Sequence, residues 1–222
     1  MIIYAISDTH GKLDFDIPEC DLLLHAGDIA PWYGGWTLID QLDWFDSKFV
    51  EWAKSVPAKH IVCVGGNHDF VCEQGLIAVN ENLPNNCHII HDQLIEIEGL
   101  KIFGTSWQPN FCDWAFNCSD TKDDLYRRYK AIPEAVDVLL THCPPKGACD
   151  VVRDGFNAIG ANLGSSSLML RLYELQPKPL VNICGHIHSA YGQGNIGETK
   201  VYNVSVINER YEIVRGATKI EI

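Results

Sequence analysis

An α/β layer architecture with mixed sheets is the fold class that this chain of 222 residues predicts. Three observations support it. Short, continuous apolar runs recur along the sequence, as strands buried on both faces require. Amphipathic helical patterns lie between the runs. Each run ends on a small polar or histidine-bearing motif, and ligand sites of open α/β sheets gather at the carboxyl ends of strands.

The elements follow in chain order. Residues 2–7 form the first predicted strand, and residues 21–25, centred on Leu22, Leu23 and Leu24, the second. From Leu38, the residues Leu42, Phe45, Phe49, Trp52 and Val56 recur at steps of three and four, one face of a helix that Pro57 helps to stop. The third strand is predicted at 60–64, and 94–107 reads as a hairpin turning near Gly99. A fourth strand falls at 136–141 and a fifth at 180–184. A second helix lies between them at 165–175, with Leu168, Leu172 and Leu175 inward. Residues 200–206 and 212–222 read as antiparallel strands. No linker, low-complexity tract or repeat interrupts the chain, so a single domain over 1–222 is expected.

A hydrophobic fraction of 46% and a charged fraction of 21% suit a folded globular chain and argue against disorder. The formal charge of -12 repels polyanions, which argues against a nucleic-acid polymer as partner. Small phosphate esters stay open, because bound cations invert the local field. The nine cysteines form no CxxC pair, and several, such as Cys63, sit inside apolar runs. Reduced thiols and a cytoplasmic location are expected. The first apolar run carries no basic residue and stops at Asp8, as a strand does and a leader peptide does not. No run approaches membrane-spanning length, so no membrane partner is expected.

Five motifs bear metal-capable side chains. Asp8-Thr9-His10 follows the first strand, and in an extended segment its carboxylate and imidazole point the same way. Gly27-Asp28 follows the second, where a carboxylate can bridge two ions. Gly65-Gly66-Asn67-His68-Asp69 follows the third. There Asn67 offers a carbonyl oxygen to a metal and an amide donor to a phosphate oxygen. His68 can protonate a leaving group, and Asp69 can orient that imidazole. Thr141-His142-Cys143-Pro144-Pro145 and Gly185-His186-Ile187-His188 follow the fourth and fifth. Each motif alone is weak: Gly-Asp is a common turn, and a lone histidine is more often a satisfied core or surface group. Five at successive strand ends form a pattern that chance does not supply. Their mixed oxygen and nitrogen donors suit manganese, iron, zinc or nickel.

In order and type these motifs resemble the five signature blocks of the calcineurin-like metallophosphoesterases. A narrower resemblance, to the fetal-brain-protein group of metallophosphodiesterases, rests on three segments. They are Ile102-Phe103-Gly104-Thr105-Ser106-Trp107-Gln108-Pro109, Trp114-Ala115-Phe116-Asn117, and Thr141-His142-Cys143-Pro144-Pro145-Lys146-Gly147. Some animal members of that group carry glycine at the first histidine of the fifth block; here His186 is present. The resemblance implies a four-layer α/β/β/α sandwich with two mixed sheets and two divalent metal ions. By motif position, Asp8, His10, Asp28 and His188 would hold the first ion. Asp28, Asn67, His142 and His186 would hold the second. His68 would be the catalytic acid with Asp69 as its partner, and Asn67 and His68 would contact substrate.

The implied reaction is hydrolysis of a small phosphate ester by water activated between the two ions. Trp32, Tyr33, Trp36, Trp107, Phe111 and Trp114 can stack a nucleobase or simply close a loop cluster. If they stack, a small nucleotide phosphodiester such as a cyclic nucleotide is the expected substrate. A phosphomonoesterase or protein phosphatase is the alternative, although no arginine lies between Asp8 and Asp69 to grip a phosphate dianion. A non-catalytic scaffold fits less well, since every ligand position is filled. Lys146 and Arg153 lie near the fourth block and can meet phosphate or stay solvated, and His25 sits beside the site.

Overall fold

The computed structural model describes residues 1–31, 36–77, 82–155 and 158–222. The strands are β1 (Ile3–Ile6), β2 (Cys20–His25), β3 (Ala58–Cys63), β4 (Cys87–Ile89), β5 (Gln93–Ile97) and β6 (Leu100–Thr105), then β7 (Gln108–Pro109), β8 (Asn117–Cys118) and β9 (Val138–Thr141), and finally β10 (Val181–Cys184), β11 (Gly192–Ile196), β12 (Thr199–Asn203) and β13 (Thr218–Ile220). The helices are α1 (Leu38–Trp44), α2 (Val50–Ser55), α3 (Phe70–Glu73), α4 (Leu125–Tyr129) and α5 (Ser166–Glu174).

One sheet has the order β13-β1-β2-β3-β4, the other β11-β12-β10-β9-β6-β5. Strands β1 to β4 run parallel, and β13 joins β1 antiparallel. In the second sheet the inner four strands are parallel and the outer two antiparallel. Strand periodicity then builds the layers. In β2, Leu22 and Leu24 enter the core between the sheets, where Ile3, Ala5 and Val62 meet Ile102, Val138, Leu140 and Ile183. Leu23 points the other way, with Ile61 and Cys63, onto Phe45, Phe49 and Trp52 of the helical layer. Phe103, Leu139 and Val201 leave the second sheet's outer face for Leu125, Tyr129, Leu168 and Leu172 of α4 and α5. The result is the expected α/β/β/α order. Each large apolar side chain so buried contributes about 1.5–3 kcal/mol.

The two predicted helices form close to their expected limits. Ser165 caps α5 by accepting the Leu168 amide, and Leu168, Leu172 and Leu175 are buried as expected. The hairpin turns at Glu98 and Gly99, both at positive φ, as a tight two-residue β-turn requires. Two expectations need correction. The C-terminal segments are not partners in one sheet. β12 lies in the second sheet and β13 in the first, and the segments between them meet around the isolated Ile207–Ile213 bridge, where Val214 N also donates to Val206 O. The chain changes sheets beside the Ser7–Ser205 bridge, which a sequence pattern does not reveal. In addition, Leu38 is exposed although it opens the predicted apolar face.

A π turn, Phe45–Phe49, lies between α1 and α2. The wider turn shifts the phase of α1 and turns Gln41 fully inward. Gln41 Nε2 donates to the His68 carbonyl at 2.7 Å, and its Oε1 accepts the Val71 amide at 3.0 Å. The helical layer thereby holds the third motif in place. Gln41→Ala leaves both backbone groups unpaired and is expected to cost about 1–3 kcal/mol per buried group in urea unfolding. An unchanged midpoint and slope would count against this anchoring.

Candidate active site

All five motifs emerge at the same edge of the sandwich, from the ends of β1, β2, β3, β9 and β10. Backbone hydrogen bonds continue beyond the strands and tie the loops together. Asp8 N donates to Gly27 O at 2.9 Å, His10 N to Asp28 O at 2.9 Å, and Gly185 N to His142 O at 2.9 Å. Asn203 Nδ2 donates to the carbonyls of Gly185 and Ile187.

Three groups of side chains could each hold a cation: Asp8 with His10 and His188, His10 with Asp28 and His68, and Asp8 with Asp28 and His142. Asp28 Oδ2 lies 3.5 Å from both His10 Nε2 and His142 Nε2. Asp8 Oδ1 lies 3.6 Å from His188 Nε2. Asn67 Oδ1 faces His142 Nε2 at 2.9 Å and His186 Nδ1 at 2.8 Å. Asp8 and Asp28 are buried, and among the described residues neither is paired with lysine or arginine. Burial works against both charges, yet the surrounding imidazoles prevail and hold both carboxyls well below the usual range. Burial also opposes charge on His142, but Asp28 outweighs it and raises the imidazole to about 9. Both of its nitrogens face oxygens, since Nδ1 lies 2.8 Å from Ala26 O. Burial lowers His10 and His186 to about 3. His10 Nε2 is buried with no hydrogen-bond partner. Two buried carboxylates, an unpartnered imidazole nitrogen and an amide oxygen facing two imidazoles form a donor set that fits divalent cations.

Backbone strain is concentrated in the same residues. Asp8, His10, Asp28 and His186 sit at φ of 58°, 45°, 53° and 68°, a left-handed region costly for residues with side chains. Such conformations cost about 1–3 kcal/mol each and persist only where surrounding contacts over-determine them. The glycines of the motifs are there for space. A Cβ at Gly66 would clash with Asp28 Oδ1, and one at Gly185 would clash with Ser7 Oγ and Asp8 Oδ2. Gly185→Ala is therefore expected to displace Asp8, lower the bound-metal content and cost about 1–3 kcal/mol from overpacking. Elemental analysis and denaturation would check it, and wild-type metal content would refute it.

Asp69 requires a correction. Its carboxylate does not orient His68: it accepts the amides of Ile29, Ala30 and Gly66 at 3.0, 2.8 and 2.8 Å. Three backbone donors occupy it, so it clamps the second motif's loop to the third's. Burial and the Asp28 charge raise this carboxyl to about 7 against the pull of those amides. His68 Nδ1 has no hydrogen-bond partner. The His68 ring is held by packing instead, with its centroid 4.2 Å from that of Trp114 and 4.6 Å from that of His10. Its backbone amide donates to Asp28 Oδ1 at 2.8 Å. His25 does sit beside the site, fully buried, with Nε2 3.1 Å from Thr9 Oγ1 and Nδ1 accepting the Gly27 amide.

A cleft of about 490 Å³ opens over the cluster. Asn67, His68, His186 and His188 line its floor, and Phe111 and Tyr211 stand in its walls. Among the described lining residues there is no lysine or arginine, while Asp154 and Glu209 are acidic. Lys146 and Arg153 are exposed and do not line it. Of the other aromatics, Trp114 backs His68 and Trp107 belongs to a separate cluster with His91, Phe116 and Arg128. Trp32 and Tyr33 lie outside the described residues. Sequence reasoning missed Tyr211 and Glu209, because they occur in a polar turn with no motif around them.

A two-sheet sandwich with this cluster at its strand ends defines a metal-dependent phosphoesterase. The chain belongs to the calcineurin-like phosphoesterase family, whose sequence profile matches residues 1–190. It is 30% identical over 241 residues to the human and mouse proteins named metallophosphoesterase domain-containing protein 1, covering 98% of this chain and 70% of each relative. A solved crystal structure shares the fold at a TM-score of 0.63 and 17% identity, covering 91% of this chain and 90% of the other. No helix among the described residues is long and apolar enough to cross a membrane.

Proposed function

We propose that this chain is a phosphodiesterase acting on small nucleotide phosphodiesters, with cyclic nucleotides the leading candidates. Asp8, His10, Asp28 and His188 are the proposed ligands of one divalent ion. Asp28, Asn67, His142 and His186 are the proposed ligands of the other. When bound, such a pair of ions supplies Lewis-acid stabilisation and a nucleophile at neutral pH. The protein's own part is to fix the donors, to contact a phosphate oxygen through the Asn67 amide and to deliver a proton from His68 to the departing oxygen. The mixed donor set is compatible with manganese, iron, zinc or nickel.

The observation that carries the diester reading is the charge of the cleft. With no described lysine or arginine and with Asp154 and Glu209 in the lining, it offers a second negative charge no partner. A monoanionic diester suits this cleft better than a dianionic monoester or a polyanion. Phe111, 53% exposed, and Tyr211 offer ring faces to a base. The nine cysteines are all free, which supports a reducing compartment such as the cytoplasm.

The test compares hydrolysis of bis-p-nitrophenyl phosphate and p-nitrophenyl phosphate, with manganese and with chelator. Chelator-sensitive cleavage that favours the diester is expected, followed by turnover of cyclic nucleotides. A preference for the monoester would transfer the assignment to a phosphatase. Inactivity with every metal would point to a scaffold.

A further inference from the structure

His188 presents Nε2 to Asp8, 3.6 Å from Oδ1. Its other nitrogen, Nδ1, is buried and has no hydrogen-bond partner. The acceptor that faces Nδ1 is Glu209, whose Oε2 lies 3.9 Å away. Glu209 is held there on its own account. Its Oε1 accepts the Ser189 amide at 3.0 Å, so the residue following His188 is tied to the carboxylate facing His188.

The turn that carries Glu209 is also self-supporting. Asn208 Oδ1 accepts the amides of Arg210 and Glu212 at 2.9 and 3.0 Å, and Tyr211 N donates to Asn208 O at 2.9 Å. This arrangement puts Tyr211 at a φ of 61°, a genuine outlier for a bulky residue. Its ring then packs edge-on against His10 and His188, with centroids 4.8 and 5.5 Å apart. The His188 imidazole is thus enclosed by Asp8, Tyr211 and Glu209. The turn lies beyond residue 190, where the family match ends.

We propose that Glu209 is a positioning residue for His188: its carboxylate accepts a hydrogen bond from Nδ1–H and so fixes the tautomer that offers Nε2 as a ligand. The inference rests on the two-ion reading of the site. A histidine that ligates through one nitrogen needs an acceptor for the proton on the other, and removal of such an acceptor typically weakens metal binding about 10–100-fold. Among the side chains around His188, Glu209 is the carboxylate placed to do this without occupying the position of Asp8.

The test is calorimetric titration of the metal-free protein with manganese, which requires no substrate. Glu209→Ala is expected to weaken one manganese equivalent about 10–100-fold and to leave the other unchanged. Glu209→Gln, whose amide oxygen still accepts a hydrogen bond from Nδ1–H, should restore most of the affinity. In a His188→Ala background, Glu209→Ala should have no further effect, as expected for residues acting through one interaction. If Glu209→Ala fails to fold, Glu209→Met takes its place. Wild-type affinity in Glu209→Ala, or additive losses in the double variant, would overturn the assignment while leaving two-ion binding intact. Failure of the wild type to bind manganese, zinc, iron or nickel would instead overturn the two-ion reading, and this inference with it.

Discussion

Asp28→Ala will yield a protein that retains neither metal equivalent and has no detectable phosphoesterase turnover. Asp28 reaches both halves of the cluster. Its Oδ2 stands 3.5 Å from His10 Nε2 on one side and from His142 Nε2 on the other. Its Oδ1 accepts the His68 amide at 2.8 Å, so the same side chain also seats the third motif. Removing it takes away the carboxylate that His10 Nε2 and His142 Nε2 share and frees the His68 backbone amide. Asp28→Asn separates these roles, because the amide oxygen can still accept the His68 N–H while the bridging charge is gone. Elemental analysis after gel filtration reads the metal content, and circular dichroism shows whether the fold survives. A folded Asp28→Ala protein with full turnover and no metal would refute a mechanism based on two ions.

The second large effect belongs to His68. His68→Ala should lower turnover about 10²–10⁴-fold, the usual worth of a positioned general acid, with metal content unchanged. The side chain is half-buried above the cluster and lines the cleft, whereas its backbone rather than its ring touches Asp28. Deleting the ring therefore removes a proton donor without removing a proposed ligand. Burial lowers the pKa of this imidazole. Trp114 and His10, not Asp69, hold the ring, and the variants should reflect that. Trp114→Ala should reduce turnover through disorder of His68, while Asp69→Ala should act mainly on stability by stranding three buried amides. Unchanged turnover in His68→Ala would remove it from the mechanism.

Much of this molecule is legible in the chain because strand and helix periods are local. The run Leu22-Leu23-Leu24 has to be buried on both faces, and the sheets oblige by sending Leu23 to one core and its neighbours to another. Each of the five motifs stands next to a strand end that the apolar runs already delimit, so the candidate ligands could be named before their geometry was known. β11 escaped notice because Gly192-Gln193-Gly194-Asn195-Ile196 has no apolar run. It is a strand only because β12 pairs with it. The π turn at Phe45–Phe49 was equally hidden, since a wider helical turn leaves no residue signature, and its effect is seen only in which side of α1 is buried.

By itself the sequence determined the layered α/β class, the strand ends and the set of donors, because hydrophobic period and donor chemistry are properties of residues and their spacing. The tertiary structure alone decided which donors meet, and how. It turned Asp69 away from His68 by offering it three closer amides, and brought Trp114 from a distant loop to hold the ring instead. It carried Glu209 and Tyr211, unremarked in their polar turn, to His188. Contacts of this kind depend on how loops far apart in the chain pack at a common sheet edge, and no local pattern encodes that.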